Sequence, residues 1–448
     1  MSTELLAPLD LAFWHLESTE HPMHLGALAL FDGGDPADTN PTAIAELLAQ
    51  RAAAIPRLRM RVRDVWLPVG GAAWVAAKDF DVRRHVQQIR LPEDDLAAHA
   101  VHHAGELMER PLERGLPPWK MYVLAGAPGG PFAILVKLHH ALADGMRAVS
   151  IGAGIFDQIA GAREAGAGRE RTVPPRSWLP GPRQAVGFAR DRIEELGRAV
   201  GIGASVMRAG RLDLWGASAL AAGSSGTRRL GTAVLDQGDV LKVRRVAGGT
   251  ANDVLLAVVA GALRRWMLEC GEPLPGTDPR ALVPVSRRRP GSPAGSGNKL
   301  SAYLLSLPVS EPDPWARLTA VRAAMDRNKA GGPGRGAGAV AVLADQLPSL
   351  AHRFGAPLAG SAARILFDVL VTSVPLPRST LSLGGCPLRE IYPMAPLARG
   401  QSLAVALSTY GGQVHVGLVA DAKAVPDLDP LARGMSDELA ELLRAAAA

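Results

Sequence analysis

The sequence predicts an α/β fold (mixed strands and helices, α+β in composition) divided into two domains. The chain has 448 residues, and single hydrophobic cores stop growing at roughly 250–300 residues. Short apolar runs alternate with helical stretches in residues 1–160 and again in residues 226–448. Residues 161–225 are rich in Arg, Pro, Gly and Ala, which predicts an interdomain crossover containing one helical segment.

In the first domain, residues 25–31, 119–124 and 132–138 are short apolar runs, the pattern of buried strands. Residues 42–54 follow Asn-Pro and have the spacing of an amphipathic helix. A further helix is expected over residues 148–159.

In the second domain, residues 250–269 predict a long helix with Thr250 as its N-cap. The Gly-Gly pair at 411–412 predicts a hairpin turn, and a closing amphipathic helix follows Pro430. The strands expected here are residues 281–285, 302–308, 365–372, 403–410 and 413–418.

The net charge of +6 and the pI of about 9.6 are compatible with an anionic substrate, a membrane surface or nucleic acid. The basic residues are scattered among apolar ones, as in residues 57–63, where arginine alternates with other residues. This alternation predicts a half-buried strand, and no known nucleic-acid-binding motif is present. We therefore expect no nucleic-acid partner.

The two cysteines, Cys270 and Cys386, are too few for a disulfide framework or a zinc cluster, and both are expected in the core. The sequence does not start like a signal peptide, and no uncharged apolar run reaches the ~18 residues that span a bilayer. The expected location is the cytoplasm, with peripheral contact at the inner membrane face or lipid droplets left open.

The most informative stretch is His139-His140-Ala141-Leu142-Ala143-Asp144-Gly145, which follows a predicted apolar strand. An imidazole titrates near pH ~6.5, so a neutral histidine can take a proton from an alcohol. Asp144 is close enough to order the turn that presents His140, and Gly145 permits a close backbone approach.

Three other interpretations of this stretch are possible. The histidines could be structural, since a histidine at the end of a strand often is. Metal binding would need further ligands at suitable spacing, and His15, His21, His24, His102 and His103 form no known pattern with Asp144. A hydrolase would need a nucleophile motif, and none is present.

His-His-x-x-x-Asp-Gly resembles the active-site signature of the CoA-dependent acyltransferase superfamily, which includes chloramphenicol acetyltransferase and peptide-synthetase condensation domains. Further stretches resemble the bacterial wax ester synthase/diacylglycerol acyltransferase family in particular, and together they cover nearly the whole chain outside residues 161–225. These stretches are Pro8-Leu9-Asp10-x-x-Phe13-Trp14, Pro117-Pro118-Trp119, Gly248-Gly249-Thr250-Ala251-Asn252-Asp253-Val254, Gly297-Asn298-Lys299 and Gly417-Leu418-Val419-Ala420-Asp421.

The resemblance implies two chloramphenicol-acetyltransferase-like domains, each a mixed sheet flanked by helices, with a substrate channel between them. It implies that the protein transfers an acyl group from acyl-CoA to an alcohol, a diacylglycerol or another hydroxyl acceptor. In this reaction His140 would act as the general base that takes the proton of the hydroxyl. No acyl-enzyme, metal site or cofactor other than the co-substrate acyl-CoA is expected. By the same resemblance His139 is structural and Asp144 pairs with an arginine.

Three substrate-binding candidates keep a structural alternative. Asn252 resembles the family's channel asparagine, but Asn252 and Asp253 equally suit a helix cap. Trp119 could line the acyl channel or belong to the core. Ser373 stands where the family often has asparagine, and Leu376 where it has glycine.

These departures leave other functions open. The protein could acylate a soluble secondary metabolite, bind acyl-CoA or lipid without catalysis, or take its acyl group from a carrier protein. Residues 184–200 or 203–222 could contact a membrane, or they could be ordinary interdomain helix.

Overall fold

The structure, a computed structural model, describes residues 4–36, 39–66, 70–143, 145–158, 220, 224–286, 300–331, 367–377 and 379–447. The strands are β1 Glu4–Leu5, β2 His24–Phe31, β3 Met60–Asp64, β4 Ala72–Ala76, β5 Val86–Arg90, β6 Trp119–Ala125, β7 Phe132–His139, β8 Arg228–Asp236, β9 Arg280–Ser286, β10 Leu300–Ser306, β11 Val369–Pro375, β12 Ser382–Leu383, β13 Cys386–Met394, β14 Leu403–Tyr410 and β15 Gln413–Asp421. The helices are α1 Pro8–Leu16, α2 Pro41–Ala53, α3 Leu96–Glu109, α4 Gly145–Ala153, α5 Gln237–Ala247, α6 Ala251–Glu269, α7 Pro314–Gly331 and α8 Asp429–Ala447, with short 3₁₀ turns at Pro56–Arg59 and Val82–Arg84.

Two six-stranded mixed sheets form the centre of the molecule, as the predicted fold class requires. The first has the order β12-β13-β2-β7-β6-β5, in which only β5 and β6 run parallel. The second has the order β10-β9-β11-β14-β15-β8, in which β11 runs parallel to both of its neighbours. A small antiparallel sheet, β1-β4-β3, completes the described strands.

Helices pack against the sheets and form three hydrophobic cores with them. One core packs α5, α6, α7 and α8 on the second sheet, another packs α1, α2 and α4 on the first, and a third joins the first sheet and α3 to the second sheet. The middle of helix α6, residues 254–263, is apolar and buried on all sides, which is the pattern of a core helix.

The two sheets are tied together by strands from the C-terminal part of the chain. Strand β13 pairs with β2, and β12 extends the same sheet. The fit between the sheets is tight, because a Cβ added at Gly417 of β15 would lie 1.9 Å from the carbonyl oxygen of Pro393. The predicted boundaries 1–160, 161–225 and 226–448 stay predictions, and this exchange of strands across them was not expected.

Several element predictions are corrected by the structure. Residues 57–63 are not one strand, because the 3₁₀ turn that Pro56 begins occupies the first part and β3 starts only at Met60. The helix expected at residues 148–159 is Gly145–Ala153. Cys386 is buried as expected, but Cys270 is exposed because it caps the C-terminal end of α6.

None of the helices described is by itself long and apolar enough to cross a membrane. The pair α5 and α6, bent by 104° where they meet, passes that test jointly by length and composition only.

Candidate active site

Strand β7 carries both histidines to the end of the first sheet. His139 pairs with His24 of β2, and its backbone N–H donates to the carbonyl oxygen of Pro118 at 3.0 Å. Because successive side chains of a strand point to opposite faces, His139 lies on one face of the sheet with Lys137, while His140 lies on the other.

His140 is held at its backbone and at its ring. Its N–H donates to the carbonyl oxygen of Met23 at 2.8 Å. Its imidazole stacks on the phenyl ring of Phe13 from α1, with 3.9 Å between ring centroids and 17° between ring planes. The side chain is half-buried, so it can meet a substrate while its orientation is restricted.

His139 is completely buried behind His140. Its Nδ1 accepts a hydrogen bond from the backbone N–H of Ala141 at 2.9 Å, and its Nε2 lies 3.4 Å from Oε1 of Glu17. Trp14 meets the ring edge-on at 5.0 Å between centroids. These contacts fit the structural role expected for His139.

Lys137 is also buried, on the same face as His139. Its Nζ donates to the carbonyl oxygens of Leu107, at 2.7 Å, and Arg110 at the end of α3. Burial lowers the pKa of Lys137 to about 7. Lys137 thus supplies hydrogen-bond donors to backbone carbonyl groups at the C-terminal end of α3, where a positive charge is favourable.

An apolar cavity of about 280 Å³ lies between the two sheets, and His140 is part of its wall. Along β7 the alternate residues Ile134, Val136, Leu138 and His140 face it, so His140 lies at one end of this row. Other wall residues belong to β2, to α4 and the segment after it, to β11 and the residue that follows it, and to β13. They are Leu25, Ala27, Ala29, Phe31, Ala148, Val149, Gly152, Ile155, Phe156, Thr372, Ser373, Val374, Leu376, Ile391, Pro393 and Met394.

Strands β9 and β11 of the second sheet stop pairing with each other at this cavity. Strand β11 pairs with β14 along its whole length, but its pairing with β9 covers only Val369 and Leu370. Beyond that point Pro284 of β9 and Ser373 of β11 both border the cavity. Two of the predicted site residues, His140 and Ser373, are therefore brought to the same cavity.

Trp119 belongs to the core of the first sheet. It is fully buried, its Nε1–H donates to the carbonyl oxygen of Leu58 at 2.7 Å, and its ring stacks on His85 at 4.6 Å between centroids. Its indole N–H has the partner that a buried tryptophan needs. The described cavity wall does not include Trp119, which favours the core interpretation.

Asn252 and Asp253 lie in the first turn of α6. The Asp253 carboxylate accepts from the backbone N–H of Thr250 at 2.7 Å, and the Thr250 hydroxyl accepts from the N–H of Asp253 at 3.3 Å. This reciprocal pair is a capping box. Neither Asn252 nor Asp253 borders the cavity as described, and the channel role of Asn252 stays a prediction.

Asp144 lies outside the described residues. Gly145 is the first residue of α4, the helix whose later residues Ala148, Val149 and Gly152 form part of the cavity wall.

Comparison with known proteins decides the family. The sequence profile of the wax ester synthase/diacylglycerol acyltransferase catalytic domain matches residues 6–255, and that of the family's C-terminal domain matches residues 296–443. The chain belongs to the wax ester synthase/diacylglycerol acyltransferase family.

The sequences of relatives in this family align with nearly the whole chain. The probable diacylglycerol O-acyltransferase tgs1 of Mycobacterium tuberculosis is 31% identical over 98% of this chain and 95% of its own length. The probable diacylglycerol O-acyltransferase tgs2 of the same organism is 29% identical over 99% of both chains.

Solved structures support the fold. The wax ester synthase/diacylglycerol acyltransferase from Marinobacter aquaeolei VT8 has a TM-score of 0.71 at 24% identity and covers 99% of this chain and 100% of its own. The first condensation domain of the CDA synthetase has a TM-score of 0.62 at 17% identity and covers 100% of this chain and 97% of its own. At these identities the likeness is one of fold.

Three residues at the site of this family member had no assigned role from sequence. Phe13 lay within a family-like stretch, but its ring contact with His140 was not foreseen. His24 was considered only as a metal ligand, and the described residues contain no group of three or more His, Cys, Asp or Glu that could hold a metal ion. Glu17 carried no signal, because two of the residues it contacts, Arg114 and His139, are distant in sequence.

Proposed function

We propose that this protein is an acyl-CoA-dependent O-acyltransferase that esterifies the hydroxyl of a diacylglycerol or a long-chain alcohol. The observation that carries the proposal is the position of His140 at one end of an apolar cavity between the two sheets. The family and the names of the relatives, diacylglycerol O-acyltransferases, support the same reaction.

In the proposed step, His140 accepts the proton of the acceptor hydroxyl while that oxygen attacks the thioester carbonyl carbon. A new C–O bond forms, the C–S bond breaks, and His140 returns the proton to the departing CoA thiolate. General-base help of this kind is worth ~10² to 10⁴ in rate. The remaining acceleration comes from holding the two substrates in reacting geometry.

The cavity suits a hydrocarbon chain. Its wall is formed mainly by alanine, valine, leucine, isoleucine and phenylalanine side chains, and burying apolar surface stabilises a bound acyl chain by roughly 25 cal/mol per Å². With the acyl chain along this row, the thioester carbonyl lies beside His140. Acyl-CoA is a co-substrate in this proposal, and no step calls for a metal ion or another cofactor.

The first experiment measures free CoA thiol release together with mass spectrometry of the products. Purified full-length protein is supplied with palmitoyl-CoA and a panel of acceptors: a diacylglycerol, hexadecanol and small polyols. We expect an ester product whose formation falls by ~10² to 10⁴ in His140→Ala.

His102→Ala is the matched control, because His102 is an exposed histidine on α3, and its activity should equal that of the wild type. Ester formation at the wild-type rate in His140→Ala would overturn the proposed mechanism. Absence of any ester across the panel would overturn the proposed substrates.

A second candidate is acylation of a smaller, soluble hydroxyl compound. Leu376 favours it, because this residue lines the cavity at a position where the family motif often has glycine, so the cavity leaves less space for a bulky substrate. A preference for the small polyols over the diacylglycerol in the same panel would support this candidate.

Peripheral contact with a membrane or lipid droplet is also proposed, since both products are lipids. Trp66, at the turn after β3, is 87% exposed, and the side chains of Arg59 and Arg63 nearby in the chain are exposed cations. Tryptophan and cations together suit an anionic lipid surface. The segments 184–200 and most of 203–222 lie outside the described residues, and the cytoplasmic location stays a prediction.

A further inference from the structure

A buried carboxylate stands behind the histidine pair. Glu17 follows the last residue of α1, and its side chain is only 6% exposed. Oε1 lies 3.2 Å from Nε2 of His24 and 3.4 Å from Nε2 of His139, while Oε2 lies 3.3 Å from Nη2 of Arg114. The two contacts to the imidazoles are longer than an ideal hydrogen bond of ~2.9–3.0 Å, as catalytic-site contacts often are before substrate binds.

The charge states around Glu17 are consistent with one another. Burial raises the pKa of Glu17, but the contacts with His139 and His24 outweigh burial and hold that pKa well below its usual value. Burial lowers the pKa of His24 to about 4, so His24 is neutral at pH 7. Glu17 is therefore an anion that accepts a hydrogen bond from Arg114 and lies against one ring nitrogen of His24 and one of His139.

The hydrogen bond from Ala141 favours one tautomer of His139, and the Glu17 carboxylate lies beside the other ring nitrogen, where it favours the same tautomer. Its Nδ1 accepts from the N–H of Ala141 at 2.9 Å, so Nδ1 carries no proton and the neutral ring bears its proton on Nε2. Nε2 lies 3.4 Å from Oε1 of the Glu17 carboxylate. The other tautomer, or the protonated ring, would place two N–H groups against each other at Ala141.

This tautomer is connected to His140 through the backbone. The Ala141 N–H held by the His139 ring belongs to the residue directly after His140, and the N–H of Leu142 donates to the carbonyl oxygen of His139 at 2.8 Å. The turn that carries His140 is thus fixed by the His139 ring, whose orientation Glu17 sets from the opposite side.

We infer that Glu17 is a positioning residue for the general base: through the Nε2–H tautomer of His139 it holds the turn that aims His140 into the cavity. Glu17 does not touch the substrate, since the His139 ring lies between it and that turn. The inference rests on the proposed function for its kinetic consequence, whereas its structural consequence, the tautomer of His139, is independent of it.

Glu17→Gln tests the inference in the full-length protein, because glutamine keeps the shape and removes the charge. We expect kcat to fall by about tenfold to a hundredfold, the cost of misplacing a reacting group by up to ~1 Å, with KM for acyl-CoA unchanged. Glu17→Asp, which keeps the charge on a shorter side chain, should recover part of kcat. An unchanged kcat in folded Glu17→Gln, or a loss that falls entirely on KM, would overturn the inference.

Glu113→Gln is the matched control, because Glu113 is an exposed glutamate that pairs with Arg84 at the surface. Its kinetics should match the wild type. Circular dichroism melting verifies that each variant is folded. If Glu17→Gln does not fold, Glu17→Asp, which draws the carboxylate away from the His139 ring, should still have a kcat below that of the wild type at an unchanged KM, and a wild-type kcat in that variant would overturn the inference.

A second readout does not depend on activity. Nitrogen-15 NMR of ring-labelled histidine reports the tautomer of each imidazole, and the His139 signal is the one lost in His139→Gln. We expect the Nε2–H form in the wild type and a mixture of forms in Glu17→Gln. A pure Nε2–H signal in Glu17→Gln would refute the positioning role even if the acyltransferase proposal stands, and loss of activity in His140→Ala tests that proposal separately.

Discussion

Trp66 exposes a large apolar ring to solvent, and contact with a lipid surface would bury that ring. Of the large apolar side chains described as exposed, it is the most accessible, at 87%. An indole ring is suited to the region between lipid headgroups and acyl chains. We expect Trp66→Ala to weaken binding to vesicles of mixed neutral and anionic lipids by about tenfold, equivalent to ~1.4 kcal/mol.

Vesicle flotation measures this effect. Val246→Ala is the control, since Val246 is a 61% exposed apolar residue on α5. Equal binding of both variants and the wild type would show that the lipid contact lies elsewhere.

At the same scale, His140 could be singled out from the sequence because the motif is contiguous and follows a long apolar strand; its place on the cavity wall is observed, and its catalytic role stays a prediction. Glu17 and His24 could not be predicted as partners of His139, because only the pairing of β2 with β7 and the end of α1 bring them together. Cys270 was placed wrongly because composition describes an average environment and not the end of a particular helix.

At the scale of elements, the capping box of α6 offers a local test. The Thr250 hydroxyl accepts the N–H of Asp253, so Thr250→Ala removes a helix-capping bond. We expect the free energy of unfolding to fall by about 1 kcal/mol, measured by urea denaturation, with kcat unchanged.

Thr319→Ala is the comparison, because Thr319 lies inside α7 and its hydroxyl donates to the carbonyl oxygen of Trp315 in the preceding turn. Equal losses in the two variants would mean that the cap contributes nothing specific.

Helices and strands with strong periodic patterns were predicted well: α6 begins after the predicted cap, and β14 and β15 form the predicted hairpin at Gly411-Gly412. Strand β13 was missed, since Cys386–Met394 contains two prolines and two charged residues and has no clear alternation. Its partners in the sheet, rather than its own propensity, make it a strand.

At the scale of the whole molecule, the cavity exists only because two sheets meet. From Leu25 to Phe31 its wall follows six residue steps of β2, about 20 Å at ~3.3 Å per residue, with Phe31 and Phe156 at the far end. The Asp157 carboxylate fixes that end through Arg51, at 2.7 Å, and Ser382. This depth suits a long acyl chain.

We expect Ala29→Phe to shift the preferred donor from palmitoyl-CoA to lauroyl-CoA, and Ala27→Phe, nearer to His140, to shift it further to octanoyl-CoA. The kcat/KM of each variant over this donor series, with one fixed acceptor, measures the effect. A shift in the preferred acceptor length with no shift in the donor would show that the cavity holds the acceptor chain.

The pairing of β13 with β2 has a consequence for how the protein is made. Strand β2 leaves the ribosome well before its partner β13, so the edge of β2 that β13 covers stays open until residue 394 has been made. Domains ordinarily fold one after another as they emerge. Here the first sheet is complete only after β12 and β13 have been made, and we expect cellular chaperones to keep that edge from pairing with another molecule until then.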